Sequence, residues 1–427
     1  MKYRLSAGQI ALLLVTTAVL VFLGMNLFAS PEKTIKYTFP HTYDVADPQF
    51  QRAMSVLLGP PLLKGNRVDT LLNGDEIFPA MLKAIREARK TITFETYIYW
   101  SGNIGKEFAD ALAERAGAGV KVHVLLDWVG SQKMDKDLLE RMKKSGVEIE
   151  KYHPLAWYSI DKLNNRTHRK LLVVDGRVGF TGGVGIADEW TGHAQDPDHW
   201  RDTHYRIEGP TVPQMQAAFV DNWTKVSGQT LHGDDYFPES APAGELFAQL
   251  FKSSKDGGSE STHLMYLMSI AAAAKTIDLS MAYFVPDDLA TEALVAALKR
   301  GVRVRIVMPG TKTDAALVRG ASRAKWGPIL QAGAQLYEYQ PTMYHCKVLV
   351  VDGVWTSVGS TNFDNRSFRL NDEANLNILD REFAARQLID FEADLKKSRR
   401  ITYDEWASRP VHEKAWEHFL GLFGSQL

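Results

Sequence analysis

Apolar positions along this chain follow two periods, and the periods take turns. Ile92, Phe94 and Thr96 lie two apart and read as a strand, Ile104, Phe108 and Leu112 recur at helical spacing, and Val120, Val122, Val124 and Leu126 alternate again. The same order returns from Ile277 to Phe284, through an Ala- and Leu-rich helix from about Leu289 to Lys299, to Val302, Val304, Ile306 and Met308. Neighbouring parallel strands need a crossover, usually a helix, so this alternation predicts a mainly parallel sheet flanked by helices. The expected fold class is α/β, with two such domains in tandem.

One apolar stretch fits neither period. From Ile10 to Met25, extendable through Leu27, Phe28 and Ala29, only Thr16 and Thr17 are polar before Asn26, and Lys2 and Arg4 precede the stretch. About 20 such residues cross a bilayer, so this is either an uncleaved signal anchor or a secretory signal. Leu27-Phe28-Ala29 makes a poor cleavage site, which favours a single-pass anchor. Positive charge at the extreme N-terminus argues for that end staying inside and the body lying outside the cytoplasm, although Lys33 and Lys36 weaken the asymmetry. The expected organisation is an anchor over 1–30, a stalk over 31–63, a first domain over 64–240, a linker over 241–262 and a second domain over 263–427 with a helical tail. Gly257-Gly258-Ser259-Glu260-Ser261 marks the boundary between the halves.

Composition narrows the partners. With 427 residues, 45% of them hydrophobic, the chain can bury two ordinary cores. Its 50 basic and 51 acidic residues leave a net charge of −1, which is no nucleic-acid footprint, and no nucleic-acid partner is expected. The single cysteine, Cys346, cannot form an internal disulfide.

The chemistry sits in a repeated motif. His168-Arg169-Lys170 leads through Leu171-Leu172-Val173-Val174 to Asp175, and Gly182-Gly183 follow; His345-Cys346-Lys347 leads through Val348-Leu349-Val350-Val351 to Asp352, and Gly359-Ser360 follow. The copies align without a gap. Outside them, Lys90-Thr91-Ile92 matches Lys275-Thr276-Ile277, and Gly119-Val120-Lys121-Val122 matches Gly301-Val302-Arg303-Val304, so the duplication spans whole domains. On an extended segment a His and a Lys two apart share a face, which lets both touch one ligand. The same alternation turns Cys346 away from them and into the sheet, as a packed thiol. Each apolar run reads as a strand buried on both faces with its polar end opening on a crevice. Two such ends brought together surround one anion with two imidazoles and two ammonium groups, and a phosphate diester is the natural guest. Asp175 and Asp352 end buried runs and precede Gly176 and Gly353, which predicts a turn-forming, supporting role.

From about Leu71 to the C-terminus the chain resembles the phospholipase D superfamily, and within it the bacterial cardiolipin synthase branch. The resemblance is carried by Gly359-Ser360-Thr361-Asn362-Phe363-Asp364-Asn365-Arg366-Ser367-Phe368 with Leu370-Asn371-Asp372-Glu373-Ala374-Asn375, and by Trp200-Arg201-Asp202-Thr203-His204 with Ile207-Glu208-Gly209-Pro210. It implies two domains meeting at a pseudo-twofold interface that holds the active site. One imidazole, His168 by family analogy, attacks phosphorus and the other, His345, protonates the departing alcohol; an acceptor hydroxyl then resolves the phosphohistidine. Lys170, Lys347 and Asn362, with the turns Gly182-Gly183 and Gly359-Ser360, would stabilise the nonbridging oxygens. Glu373, 28 residues after His345, and Asp202, 34 after His168, fit the role of carboxylates orienting the imidazoles. Gly185 stands where the pattern has the Asn matched by Asn362.

The implied activity is transfer of a phosphatidyl group between two phosphatidylglycerol molecules, at the bacterial inner membrane, with no cofactor and no metal. A phospholipase D hydrolase, a nuclease and a non-catalytic lipid-binding scaffold are the alternatives. His193, Asp196, Asp198, His199, Asp202 and His204 are metal-ligand types without diagnostic spacing, and read as a polar active-site loop. Leu155-Ala156-Trp157-Tyr158-Ser159-Ile160 is a candidate lipid-facing lip. For Trp416, Phe419, Leu420, Leu422 and Phe423 core packing is the favoured reading over lipid contact.

Overall fold

The computed structural model describes residues 6–28, 35–154, 165–254 and 261–422, with side chains undescribed over 22–28. The first half carries β1 (Leu63–Leu72), β2 (Thr91–Thr96), β3 (Lys121–Asp127), β4 (Glu148–Tyr152), β5 (Leu171–Val174), β6 (Val178–Gly182) and β7 (Thr203–Glu208). The second carries β8 (Leu246–Ser253), β9 (Thr276–Met281), β10 (Phe284–Val285), β11 (Arg303–Pro309), β12 (Gln335–Tyr339), β13 (Lys347–Val351), β14 (Trp355–Gly359), β15 (Phe363–Asp364), β16 (Glu373–Leu379) and β17 (Ser398–Ile401). All but β10 and β15 pair in one 15-stranded sheet, in the order β17-β12-β11-β9-β13-β14-β16-β8-β1-β7-β6-β5-β2-β3-β4.

The sheet is mixed, which corrects the expectation of a mainly parallel one. Among the described residues, the pairs that run parallel within it are β2 with β3, β3 with β4, β9 with β11 and β11 with β12. Those are the strands joined by the helices that the apolar pattern picks out, among them Asn103–Gly117 and Asp288–Lys299. The motif strands are different. Asp175-Gly176 and Asp352-Gly353 all have positive φ, at 51°, 61°, 53° and 62°, the conformation of a tight primed hairpin turn. Each motif strand therefore folds straight back, β5 on β6 and β13 on β14, and antiparallel pairing spreads from there across the middle of the sheet.

The two halves share a core. β5 sends Leu172 and Val174 into the apolar cluster under the first-half helices and Leu171 and Val173 into a central cluster. β13 does the same, with Leu349 and Val351 facing its own lobe and Val348 and Val350 facing the centre. Period-two alternation thus splits each motif strand between a private core and a common one. Tyr205, Ile207, Leu376 and Ile378 are among the residues that join this common layer.

Three segments depart from the expected organisation. The linker range 241–262 contains β8, which bridges β16 of one half and β1 of the other. The stalk range 31–63 contains the helix Pro48–Leu57, whose Phe50 and Met54 are buried in the second-half core, Phe50 lying edge-on to Trp355 at 5.0 Å. Among the described residues of the C-terminal cluster, Leu420 is buried while Trp416, Phe419 and Leu422 are exposed, against the core reading. Phe423 and the lip 155–160 lie outside the described residues.

Residues Ala7–Phe28 are helical, but no helix among the described residues is long and apolar enough to cross a membrane, so the expected span is not found there. The aliphatic side chains described on that helix, from Ile10 to Val21, are exposed.

Candidate active site

The two motifs meet across the pseudo-twofold. Thr167 pairs with Asp372 and Arg201 with Tyr344 in isolated parallel bridges. The backbone N–H of His168 donates to Asp372 O at 2.8 Å, and that of His345 donates to Arg201 O at 2.7 Å. Each histidine is thereby registered against the other half's carboxylate-bearing segment.

The carboxylates follow that register. His168 Nδ1 lies 3.0 Å from both oxygens of Glu373, and His345 Nδ1 lies 2.7 Å from Asp202 Oδ2. The orientation is crosswise: Asp202 holds His345 and Glu373 holds His168, where the sequence spacing paired each acid with the histidine of its own half. Glu373 also accepts from Ser360 Oγ at 2.5 Å and Ser367 Oγ at 2.8 Å. Asp202 instead accepts from Trp190 Nε1 at 2.9 Å and from the Thr203 N–H at 2.8 Å. Gly183, the counterpart of Ser360, lies against this carboxylate so closely that a Cβ there would sit 2.2 Å from Asp202 Oδ1.

Burial dominates the electrostatics. It lowers the His168 pKa to about 4, against the raising influence of Glu373. It also lowers that of His345, helped by the Lys347 ammonium. Burial likewise brings Lys170 down to about 7 and Lys347 down from its ordinary value. It works against ionisation of Glu373 and Asp202, yet their histidine and lysine neighbours outweigh it and hold both below the usual carboxylate range. The site thus holds neutral imidazoles that donate Nδ1–H to carboxylates, which leaves Nε2 as the basic nitrogen of each ring.

Both rings line one cavity of about 610 Å³, together with Lys170 and Asn362. Lys347 is absent from its lining, but its Nζ is 3.0 Å from Nδ1 and 3.2 Å from Nε2 of His345. Lys170 Nζ donates to His168 O at 2.8 Å. Among the described residues, the amide oxygen of Asn362 is buried without a hydrogen-bond partner. Gly182 and Gly359 let neighbouring strands close up, since a Cβ would meet Thr203 O at 2.6 Å or Ala374 O at 2.3 Å. At Gly185 there is no room for an Asn, because a Cβ would come within 2.7 Å of Ile98 Cβ.

Asp175 and Asp352 are placed away from the cavity. Asp175 accepts from the backbone N–H groups of Arg89, Lys90 and Thr91 at 2.7 to 3.2 Å, and Asp352 from those of Ala274, Lys275 and Thr276 at 2.7 to 2.8 Å. Each clamps the start of the strand that pairs antiparallel with its motif strand, β2 beside β5 and β9 beside β13. The polar-loop residues do not converge on one point: His199 and Asp196 pair with each other at 2.7 Å, His193 pairs with Asp75 at 3.1 Å, and Asp202 with His345. Among the described residues no three His, Cys, Asp or Glu side chains converge as a metal set. Cys346 is buried with Tyr344 and Phe391.

Aromatic walls are what the sequence reading missed. Tyr97 stands edge-on to His168 at 5.3 Å, while Trp190 and Trp200 flank His345 at 5.2 and 5.6 Å. Tyr283 also lines the cavity, edge-on to His345 at 6.5 Å. Only their nearness in sequence to strand ends and to Asp202 could have signalled them.

The family model described as "Cardiolipin synthase, PLD-like domain" matches residues 81–198 and 266–395. The chain is 36% identical over 351 residues to cardiolipin synthase 2 of Bacillus anthracis, covering 82% of this chain and 68% of that protein. It is 36% identical over 349 residues to the major cardiolipin synthase of Bacillus subtilis, covering 81% and 72%. Against cardiolipin synthase A of Pseudomonas syringae it is 35% identical over 374 residues, covering 87% and 76%. Among solved structures, phosphatidylserine synthase of Haemophilus influenzae superposes with a TM-score of 0.69 at 16% identity, over 89% of this chain and 100% of that one, a likeness of fold alone.

Proposed function

We infer, since this chain belongs to the cardiolipin synthase family of phospholipase D-like proteins, that it moves a phosphatidyl group from one phosphatidylglycerol to another, yielding cardiolipin and glycerol. The observation that carries the mechanism is the pair of imidazoles on one cavity, each tied at Nδ1 to a carboxylate of the opposite repeat.

His168 is the nucleophile. Burial keeps it neutral, and the three contacts of Glu373 fix its ring. Its Nε2 forms a bond to phosphorus as the bond from phosphorus to the glycerol oxygen breaks. His345, protonated at Nε2, gives that oxygen its proton, and glycerol leaves. The anionic diester supplies the negative charge that keeps one imidazole protonated once substrate is bound. The glycerol hydroxyl of the second phosphatidylglycerol then attacks phosphorus, loses its proton to His345, and breaks the bond from phosphorus to His168. Lys170, Lys347 and Asn362 stabilise the nonbridging oxygens. Asp175 and Asp352, with the Gly182-Gly183 and Gly359-Ser360 turns, support the frame.

The helix Ala7–Phe28 tethers the enzyme. Its exposed aliphatic face has no place in water, and a bacterial inner membrane supplies the apolar surroundings it lacks. The catalytic body lies on the outer side of that membrane.

His345→Ala removes the proton donor and abolishes cardiolipin formation in membranes supplied with phosphatidylglycerol; unchanged lipid output would overturn the reading. Mass spectrometry separates the outcomes, because cardiolipin marks transfer and phosphatidate marks hydrolysis by water.

A further inference from the structure

The C-terminal helix Val411–Gly421 is built inside out. Its inward face carries Glu413, Glu417, Leu420 and Gly421, and the two acids pair with arginines: Arg323 Nε reaches Glu417 at 3.1 Å, Arg409 reaches Glu417 at 2.8 Å, and Arg323 reaches Glu413 at 3.6 Å. The outward side carries Val411, Trp416 and Phe419, continued by Leu422, with relative exposures of 80%, 55%, 49% and 69%, and the exposed His412, Lys414 and His418 flank them. Trp416 and Phe419 stack at 5.6 Å, which joins them into one apolar plate. A surface helix in water arranges itself the other way round.

The inward side of this helix reaches toward the catalytic cavity. Leu420 packs with Val285, Ala321 and Val318, and Val318 also lines the cavity. Leu317, the next residue, is 57% exposed. The cavity itself, at about 610 Å³, is of a size that takes one headgroup and its phosphodiester. It leaves the acyl chains of two phospholipids outside.

We propose that the outward side of this helix, extended by Leu317, docks on the bilayer surface and sets the mouth of the cavity at the headgroup layer, so that substrates present their phosphates while their chains stay in the membrane. This rests on the lipid-substrate reading above. Trp and Phe favour the bilayer interface, where an aromatic ring can be half immersed, and the apolar contact adds to binding in proportion to its area. The N-terminal tether holds the body near the membrane; the plate orients it.

The test uses the full chain reconstituted into vesicles of phosphatidylglycerol and phosphatidylethanolamine with brominated acyl chains. The fluorescence difference between the protein and its Trp416→Phe variant isolates the Trp416 emission, and bromine is expected to quench it by half or more. A companion variant, Trp416→Ser with Phe419→Ser and Leu422→Ser, is expected to lose about tenfold in turnover of vesicle phosphatidylglycerol while keeping turnover of dispersed short-chain phosphatidylglycerol. Absence of quenching overturns the proposal, and a cross-link from position 416 to a second copy or to the N-terminal helix would name the true occupant. Quenching is read independently of turnover, so a protein that docks but makes no cardiolipin would sink the catalytic reading and leave the docking surface standing.

Discussion

Asp202 Oδ2 lies 2.7 Å from Nδ1 of His345, across 143 residues of chain and from the opposite repeat. Glu373 reaches back to His168 in the same way. Neither repeat owns a complete acid–imidazole pair, so the proton chemistry of one ring depends on the docking of the other half.

That dependence separates the two carboxylates. Asp202→Asn should slow glycerol departure about 10²- to 10⁴-fold, because the amide no longer fixes the tautomer of the ring that protonates the leaving oxygen. A phosphatidyl ester of p-nitrophenol needs no such proton, and with it the Asp202→Asn protein should still accumulate phosphohistidine in rapid-quench experiments. Glu373→Gln should impair both substrates. Equal losses on the activated ester would remove His168 from the nucleophile's role.

Activity against pH should give two limbs. Attack requires neutral His168, present above a pKa of about 4, and phosphate binding requires charged Lys170, present below about 7. For short-chain phosphatidylglycerol, kcat/KM, which reports on the free enzyme, should fall as pH drops through the first value; on the alkaline side it should fall as His345 loses the proton it donates, and again as Lys170 loses its charge through the second value. Lys170→Arg should remove the fall near 7 and leave the His345 fall in place, since a guanidinium stays charged. A fall near 7 that ignores that substitution would assign it to another group.

The motif aspartates should act on stability. Asp175→Ala and Asp352→Ala each strip a carboxylate from three backbone N–H groups at the start of a strand. Calorimetry should show Tm lowered by about 2–4 °C for each, with kcat of the folded enzyme within about threefold of the parent. A kcat collapse at unchanged Tm would place them in the chemistry.

Gly185→Asn, which would bring the first half into line with Asn362, should fail. Its Cβ meets Ile98 at 2.7 Å and Trp190 at 3.3 Å, so the substitution overpacks a filled space and costs about 1–3 kcal/mol. Denaturant titration should read that loss, and no gain in turnover should accompany it. A faster, equally stable variant would mean the space can open.

Much of this was legible in the sequence because the signals were local. The βαβ segments show as two periods, and the His–Lys pairs share a face by simple alternation. Two features escaped for physical reasons. Asp175-Gly176 and Asp352-Gly353 were readable as turns, but their consequence, an antiparallel middle to the sheet, follows only from the primed turn geometry. The crosswise carboxylates depend on which strand ends meet across the pseudo-twofold, and spacing along the chain points to the wrong partner. Tyr97, Trp190 and Trp200 likewise gain meaning only once the rings they flank are in place.

The layer made by Leu171, Val173, Val348 and Val350 bears on how such a chain can be inherited and assembled. Severed from its twin, either repeat would show water a greasy seam and would have to recruit a copy of itself to hide it. Keeping both on one polypeptide fixes their stoichiometry at one to one, and it frees each copy to drift, as Gly183 and Ser360 have, without losing its mate.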